Sequence, residues 1–300
     1  MSTDPAPILA LVGPTGSGKS ALALEVAEQL GAEIVAVDAF TVYRGMDIGT
    51  AKPTLADRER VAHHVIDVLD PEQDCTVRWF QQQARAAVAD IQARGRLPLL
   101  VGGSGLYFRA VVDDLRFPPT DPQVRAAVAD EYADAATAFA RLQAIDPAAA
   151  AAMDPGNHRR AVRALEVIEL TGRPFSEFAT EWETFASIYD DFHVIGITVP
   201  RESLVAAIEE RTRKMMAAGW VDEARALSQR NLSGTARKAL GYAEVFSHLA
   251  GEMTLAEATE AIAIRTRQYA AAQSRWFRKD PRVRWRAPSE VVQELAQCIS

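Results

Sequence analysis

Residues 8–20 read Ile8-Leu9-Ala10-Leu11-Val12-Gly13-Pro14-Thr15-Gly16-Ser17-Gly18-Lys19-Ser20, five apolar residues running into a glycine-rich turn that satisfies G-x-x-x-x-G-K-[ST]. Set after a strand and before a helix, that spacing is specific for a phosphate cradle. Gly13, Gly16 and Gly18 permit the tight turn, and the backbone amides and the helix N-terminus face the phosphates. Lys19 supplies a point charge and the Ser20 hydroxyl can ligate Mg²⁺. The implied ligand is a di- or triphosphate, so a nucleotide-binding site, ATP included, is within its range.

Working outward, short apolar runs alternate with helical stretches. The pattern predicts strands at Ile8–Val12, Glu33–Val37, near Val65–Val68 and at Leu97–Val101, and helices at Lys19–Leu30 and Val77–Ala93. This β-α-β rhythm implies an α/β fold, a P-loop NTPase-like, mostly parallel sheet flanked by helices. After Asp113 the chain turns Ala-rich, Pro-punctuated and helical until about Glu183. Strand character returns at Phe192–Val199, followed by helices at Glu202–Leu227, Tyr242–Leu249 and Leu255–Arg278. The expected organisation is a core from 1–115 and 190–300 with an inserted all-helical subdomain at 116–189.

At 300 residues, 48% of them hydrophobic and 24% charged, the chain has ordinary globular usage. Its apolar runs are of strand length, far below the roughly 20 residues of a membrane span, so no membrane partner is expected. Met1–Pro7 carries no basic residue ahead of the first apolar run, which argues against a secretion leader. Cys75 and Cys298 are the only cysteines and are far apart, which supports neither a disulfide framework nor a zinc site. The expectation is a cytoplasmic protein. His63 and His64 are adjacent, so on a strand they point to opposite faces, and a structural role is the better reading than a metal pair.

The net charge of −7 argues against a polyanionic partner until its distribution is read. Between Arg265 and Arg286 stand eight basic residues and one acid, Asp280, a local charge of +7 that leaves −14 elsewhere. That segment is a candidate anion-facing surface.

The phosphate chemistry is narrowed by what is missing. A GTPase reads guanine through N-K-x-D, but neither Asn157 nor Asn231 is followed by Lys. The strand at Leu97 runs into Gly102-Gly103-Ser104-Gly105 rather than a hydrolytic acid pair. A transferase remains, moving a phosphoryl group or expelling diphosphate. Ile34-Val35-Ala36-Val37-Asp38 ends in a carboxylate at the strand end that faces the ligand crevice in an open parallel sheet, so Asp38 is expected to point toward the phosphates.

GPTGSGKS, Asp38–Pro53 (DAFTVYRGMDIGTAKP), His63–Asp67 (HHVID) and Val101–Phe108 (VGGSGLYF) stand in that order along the chain. Arg160–Val167 (RAVRALEV), Leu170–Pro174 (LTGRP), Leu240-Gly241-Tyr242 and Gln273–Arg278 (QSRWFR) continue the series. Together they resemble the tRNA dimethylallyltransferase (tRNA isopentenyltransferase) family over nearly the whole length. The resemblance implies transfer of a dimethylallyl group from dimethylallyl diphosphate to N6 of adenosine-37 in the anticodon loop of tRNA, releasing diphosphate. It implies Asp38 as general base, with Ser104 as a second catalytic position where the family usually has Thr. Gly13, Thr15, Gly16, Ser17, Gly18, Lys19 and Ser20 would hold the donor, with Mg²⁺ as cofactor on Ser20. The tRNA contacts would be Asp38, Ala39, Phe40, Thr41, Ser104, Arg125, Arg159, Arg160, Arg163, Lys238, Gly241, Tyr242, Gln273, Arg275 and Arg278. A monomer is the family expectation.

Two departures from the family pattern stand out: Arg159-Arg160 replaces the frequent Gln-Arg, and Ala271-Ala272 replaces a basic pair. At about 100° per residue, Arg267, Arg275 and Arg278 still share one helix face, opposite Ile262, Tyr269 and Trp276. Trp276 therefore reads as a core anchor. The rival readings are an adenylate prenyltransferase acting on free nucleotide and a P-loop nucleotide or small-molecule kinase. The helical insertion and the basic segments favour a macromolecular acceptor, since a free nucleotide needs neither.

Overall fold

The computed structural model describes residues 5–178 and 184–299. The chain divides into two units, one built from residues up to Val112 and from Ser187 onward, the other spanning Asp113–Ala186. The first unit opens with β1 (Ile8–Val12), α1 (Lys19–Leu30), β2 (Ala32–Val37) and a short α2 (Leu55–Arg60). It continues through β3 (His63–His64), α3 (Val77–Ala93), β4 (Leu97–Gly102) and α4 (Gly105–Val112).

Among its described residues the second unit holds four α-helices, α5 (Pro122–Glu131), α6 (Ala135–Ile145), α7 (Pro147–Ala151) and α8 (His158–Thr171), and a short 3-10 turn at Phe175–Phe178. Asp121, Asp134, Asp146 and Asn157 each accept a backbone N–H at a helix start, so the Asp-Pro and Asn punctuation read in the sequence works as N-caps. Val128, Ala138, Leu142, Ala161 and Leu165 form the core of this unit. The helical texture expected to reach Glu183 ends outside the described residues.

The first unit resumes with β5 (Phe192–Ile197), α9 (Arg201–Ala217), α10 (Trp220–Ser228), α11 (Tyr242–Leu249), α12 (Leu255–Phe277), β6 (Val283–Arg286) and α13 (Pro288–Gln297). Its six strands run in the order β3-β2-β4-β1-β5-β6, and every pairing is parallel. β1, β2 and β4 are buried almost throughout, which is why they read as unbroken apolar runs rather than alternating ones. One core lies on each face of the sheet. Val37, Phe80 and Tyr242 belong to one, and Leu9, Ala27 and Leu295 to the other.

Register positions the site. Gly102 pairs with both Val12 and Val37, so the carboxyl ends of β1, β4 and β2 lie abreast. The segments that leave them, beginning at Gly13, Gly103 and Asp38, share one crevice mouth.

Two expectations are corrected. The strand expected near Val65–Val68 forms at His63–His64 instead. Val65 (φ 64°) and Asp67 (φ 55°) leave the extended region, and the amides of Asp67 and Val68 bond the carbonyls of Thr41 and Val42. The single helix expected at Glu202–Leu227 breaks into α9 and α10 at Gly219, which caps α10 at φ 100°. Beyond α12, Arg284 and Arg286 of the basic segment lie on an edge strand, β6, and α13 follows it. Among the described residues no helix is long and apolar enough to cross a membrane.

Candidate active site

The phosphate turn follows from its glycines. Gly16 and Gly18 adopt φ 83° and 79°, a conformation that costs other residues free energy, and α1 begins at Lys19 with no side chain capping its first amides. Those N–H groups stay open to a ligand, and an anion there meets the positive end of the helix dipole.

Thr15, Lys19 and Ser20 line a cavity of about 190 Å³ together with Asp38, Phe40 and Thr41. Gly13, Gly16, Ser17 and Gly18 shape the turn beside it. The Ser17 and Thr41 hydroxyls are buried without a hydrogen-bond partner among the described residues, and Thr41 belongs to the cavity wall. Buried hydroxyls are costly unless satisfied, so the Thr41 Oγ1 is available to a water or a ligand atom in the cavity.

Two residues that spacing did not reveal complete the site. Arg211 of α9 donates from Nη1 to the Thr15 hydroxyl at 2.9 Å and lines the same cavity. In the sequence it sits in Glu209-Glu210-Arg211-Thr212-Arg213-Lys214, which reads as a solvated charged face; only the closure of α9 over the turn singles it out. Tyr269 of α12 also lines the cavity, and burial raises its hydroxyl pKa, with the Asp38 charge adding to the effect.

The electrostatics are strained in opposite senses. Burial pushes the Asp38 carboxyl above its ordinary range, against hydrogen bonds to its Oδ1 from the amides of Phe40 (2.8 Å) and Thr41 (3.4 Å) and against the charges of Lys19 and Arg211. Burial also lowers Lys19 to about 8, helped by repulsion from Arg211 and opposed by Asp38. Two cations and one carboxylate thus share a poorly hydrated cavity, and an incoming polyanion would relieve the repulsion between the cations.

The other expected positions are distributed unevenly. Gln273 does not face outward. It is 6% exposed, lines the cavity, and accepts the Thr15 amide on its Oε1 at 2.8 Å, so it braces the phosphate turn. Tyr242 is fully buried, its hydroxyl donating to Glu223 Oε1 at 2.6 Å, and Gly241 is packed beneath the Trp220 ring; both support the site from the core. Ala39 is buried, while Ser104 is part-buried just beyond Gly103, which lines the cavity. Trp276 packs on the core, edge-on to Phe277. His63 and His64 bond the Val61 carbonyl and Glu33 respectively.

The basic segment is largely neutralised within the protein. Arg265 pairs with Glu244, Arg267 with Glu209, Arg282 with Asp280, and Arg284 and Arg286 with Glu294. Arg275, Arg278 and Lys279 are exposed and make no ion pair among the described residues, as does Lys238 at the end of the turn Ala236–Lys238. In the second unit Arg125 and Arg163 both hold Glu166 Oε2 at 2.8 Å, and that carboxylate is fully buried. Arg159 and Arg160 are exposed on the first turn of α8 without an ion pair among the described residues.

Two family models match the chain, one described as IPP transferase over residues 41–280 and one as isopentenyl transferase over residues 6–67. The chain is 52% identical to a tRNA dimethylallyltransferase of Kineococcus radiotolerans, across 93% of this chain and 90% of that one. It is 49% identical to one of Salinispora arenicola, across 93% and 81%. Among solved structures it is similar to the tRNA isopentenylpyrophosphate transferase of Bacillus halodurans, with a TM-score of 0.71 at 36% identity over 98% of this chain and 96% of that one. A eukaryotic dimethylallyltransferase acting on tRNA shares the fold, with a TM-score of 0.81 at 24% identity over 96% and 75% of the two chains.

Proposed function

The chain belongs to the IPP transferase family and is a prenyl transferase acting on tRNA; we propose that it moves a dimethylallyl group from dimethylallyl diphosphate to N6 of adenosine-37 in the anticodon loop. The bond from the allylic carbon to the diphosphate oxygen breaks as the carbon–N6 bond forms, and N6 gives a proton to Asp38. Adenine N6 is a weak nucleophile because its lone pair is delocalised into the ring, so a base helps, typically by about 10² to 10⁴ in rate. The carboxyl raised by burial is an effective acceptor once ionised, and its two amide hydrogen bonds hold it in place.

Departure of diphosphate needs positive charge ready beforehand. The open α1 amides, Lys19 and Arg211 supply it without reorganisation during the reaction. The Ser20 hydroxyl, a hard oxygen donor beside the phosphate turn, would suit a cation such as Mg²⁺, which bound there would neutralise leaving-group charge. No group of three or more His, Cys, Asp or Glu side chains among the described residues offers a fuller metal site.

The acceptor base must leave its stack to reach such a cavity, at a cost of a few kcal/mol recovered in pocket contacts. The orphaned Thr41 hydroxyl is a partner for it or for the donor. Exposed Arg275, Arg278, Lys279 and Lys238 in one unit, and Arg159 and Arg160 in the other, are cations without an ion pair among the described residues that could meet phosphates. We infer a cytoplasmic setting from the tRNA acceptor, and the family likeness favours a monomer.

The observation that carries the reading is the meeting of Asp38 with Lys19 and Arg211 in one cavity at the phosphate turn. Its test is diphosphate release from dimethylallyl diphosphate on adding unmodified tRNA. Release with AMP in place of tRNA would assign the site to free nucleotide, and ATP turnover on small acceptors would assign it to a kinase.

A further inference from the structure

The loop that follows Asp38 is long and irregular, yet it carries Gly49, Thr50, Ala51 and Pro53 of the cavity wall. Its shape is imposed from outside by one carboxylate. Glu223, in the first turn of α10, accepts the amides of Asp47 (2.7 Å) and Ile48 (2.7 Å) on Oε2, and that of Gly49 (3.0 Å) on Oε1. Tyr242 adds its hydroxyl to Oε1 at 2.6 Å. Three successive N–H groups converging on one point form a concave anion nest, which the protein fills with its own side chain.

Two further features show that this wall is held rather than relaxed. Ala51 sits at φ 49°, and the other described non-glycine residues in the left-handed region are Val65 and Asp67, against the same loop. Lys52 is buried and donates to the Tyr43 carbonyl, Asp47 and Asp67, closing the loop's other end. Conformations of this kind persist only where the surroundings over-determine them. Gly49 leaves no slack, because a Cβ there would stand 2.2 Å from Trp220 Nε1 and 2.5 Å from the Tyr242 ring.

We propose that Glu223 is a positioning residue for prenyl transfer: it moulds the segment from Asp47 to Pro53 into the wall of the cavity that the phosphate turn also lines, fixing where the reacting groups can sit. The inference rests on the transferase reading of this cavity. Glu223 touches no cation of the phosphate cradle, so its loss should disturb alignment and spare diphosphate affinity. Misplacement of reacting groups by about 1 Å can cost about 10²-fold in rate.

The experiment compares Tyr242→Phe, Glu223→Gln and Glu223→Ala with wild type, measuring turnover on unmodified tRNA, affinity for inorganic diphosphate, and hydrogen exchange of the 47–49 amides. Turnover should fall by about 3-fold, 10-fold and 100-fold in that order, while diphosphate affinity stays within about 2-fold of wild type. Exchange at the three amides should quicken in both Glu223 variants. Glu223→Ala turnover within about 2-fold of wild type would overturn the proposal, as would diphosphate affinity falling in step with turnover, which marks general loosening. If the Ala variant fails to fold, the Gln and Phe variants decide by the same criteria. Unchanged exchange in Glu223→Gln contradicts the proposal whatever the activity, and failure of wild type to transfer would count instead against the transferase reading.

Discussion

Arg211 Nη1 lies 2.9 Å from Thr15 Oγ1, so a side chain of α9 is fastened to the middle of the phosphate turn. With Gln273 Oε1 on the Thr15 amide, the turn is braced by two helices that follow it by about two hundred residues or more. Arg211→Gln should lower affinity for inorganic diphosphate by at least about tenfold, the usual scale for a hydrogen bond to a charged group. Arg211→Lys should fall between, keeping the charge and losing the fork. Calorimetric titration checks this, and a Gln variant within twofold of wild type would remove Arg211 from the donor site.

Asp38→Asn should retain diphosphate binding and lose transfer by about 10² to 10⁴. The pH dependence carries the same claim. As the proposed base Asp38 would work ionised, and burial raises its pKa, so the acid limb of kcat/KM should lie above the range of a solvated aspartate. Lys19, as the proposed donor-binding cation, would act protonated, and burial lowers its pKa to about 8, so the basic limb is expected there. Activity is expected between the two, and the Asn variant should lack the acid limb; an unchanged limb in that variant would assign it to another group.

The arginines after residue 264 should divide by their partners. Replacing Arg275 and Arg278 with Ala should weaken tRNA binding and flatten the slope of log K against log salt by about 1.5, the release expected for two phosphate contacts. Replacing Arg284 and Arg286, both held by Glu294, should leave the slope unchanged. Equal effects in the two double variants would mean the ion pairs do not sort the surface.

Glu166 is the fully buried centre of a network taking Arg125, Arg163, the Thr120 hydroxyl and the Asp121 amide. Glu166→Gln should cost about 1–3 kcal/mol in denaturant unfolding, because the ionised acceptor that holds both arginines is lost. An unaltered midpoint would return Arg125 and Arg163 to the exposed, RNA-facing set.

How much was legible follows from where each signal resides. β1, α1, α3 and α11 were readable to their ends, since apolar runs, glycine stops and Thr76 as a cap are local features. The phosphate turn and Asp38 were readable for the same reason. The path after His64 was not, because Val65 and Asp67 take left-handed conformations that only loop contacts with Thr41, Val42 and Lys52 sustain. Arg211 and Glu223 look like ordinary charges on helix faces until the fold sets them against the phosphate turn and the 47–49 amides. Gln273 matched a motif, but a motif carries no direction, and the structure turns the side chain inward to Thr15.

The most direct test of the account is to follow label from dimethylallyl diphosphate into unmodified tRNA in the presence of Mg²⁺, then digest the RNA and locate the labelled nucleoside. The account predicts label on N6 of adenosine-37, little in free AMP, and its loss in Asp38→Asn. Label in AMP but not in tRNA, or at another nucleoside of the tRNA, would contradict it.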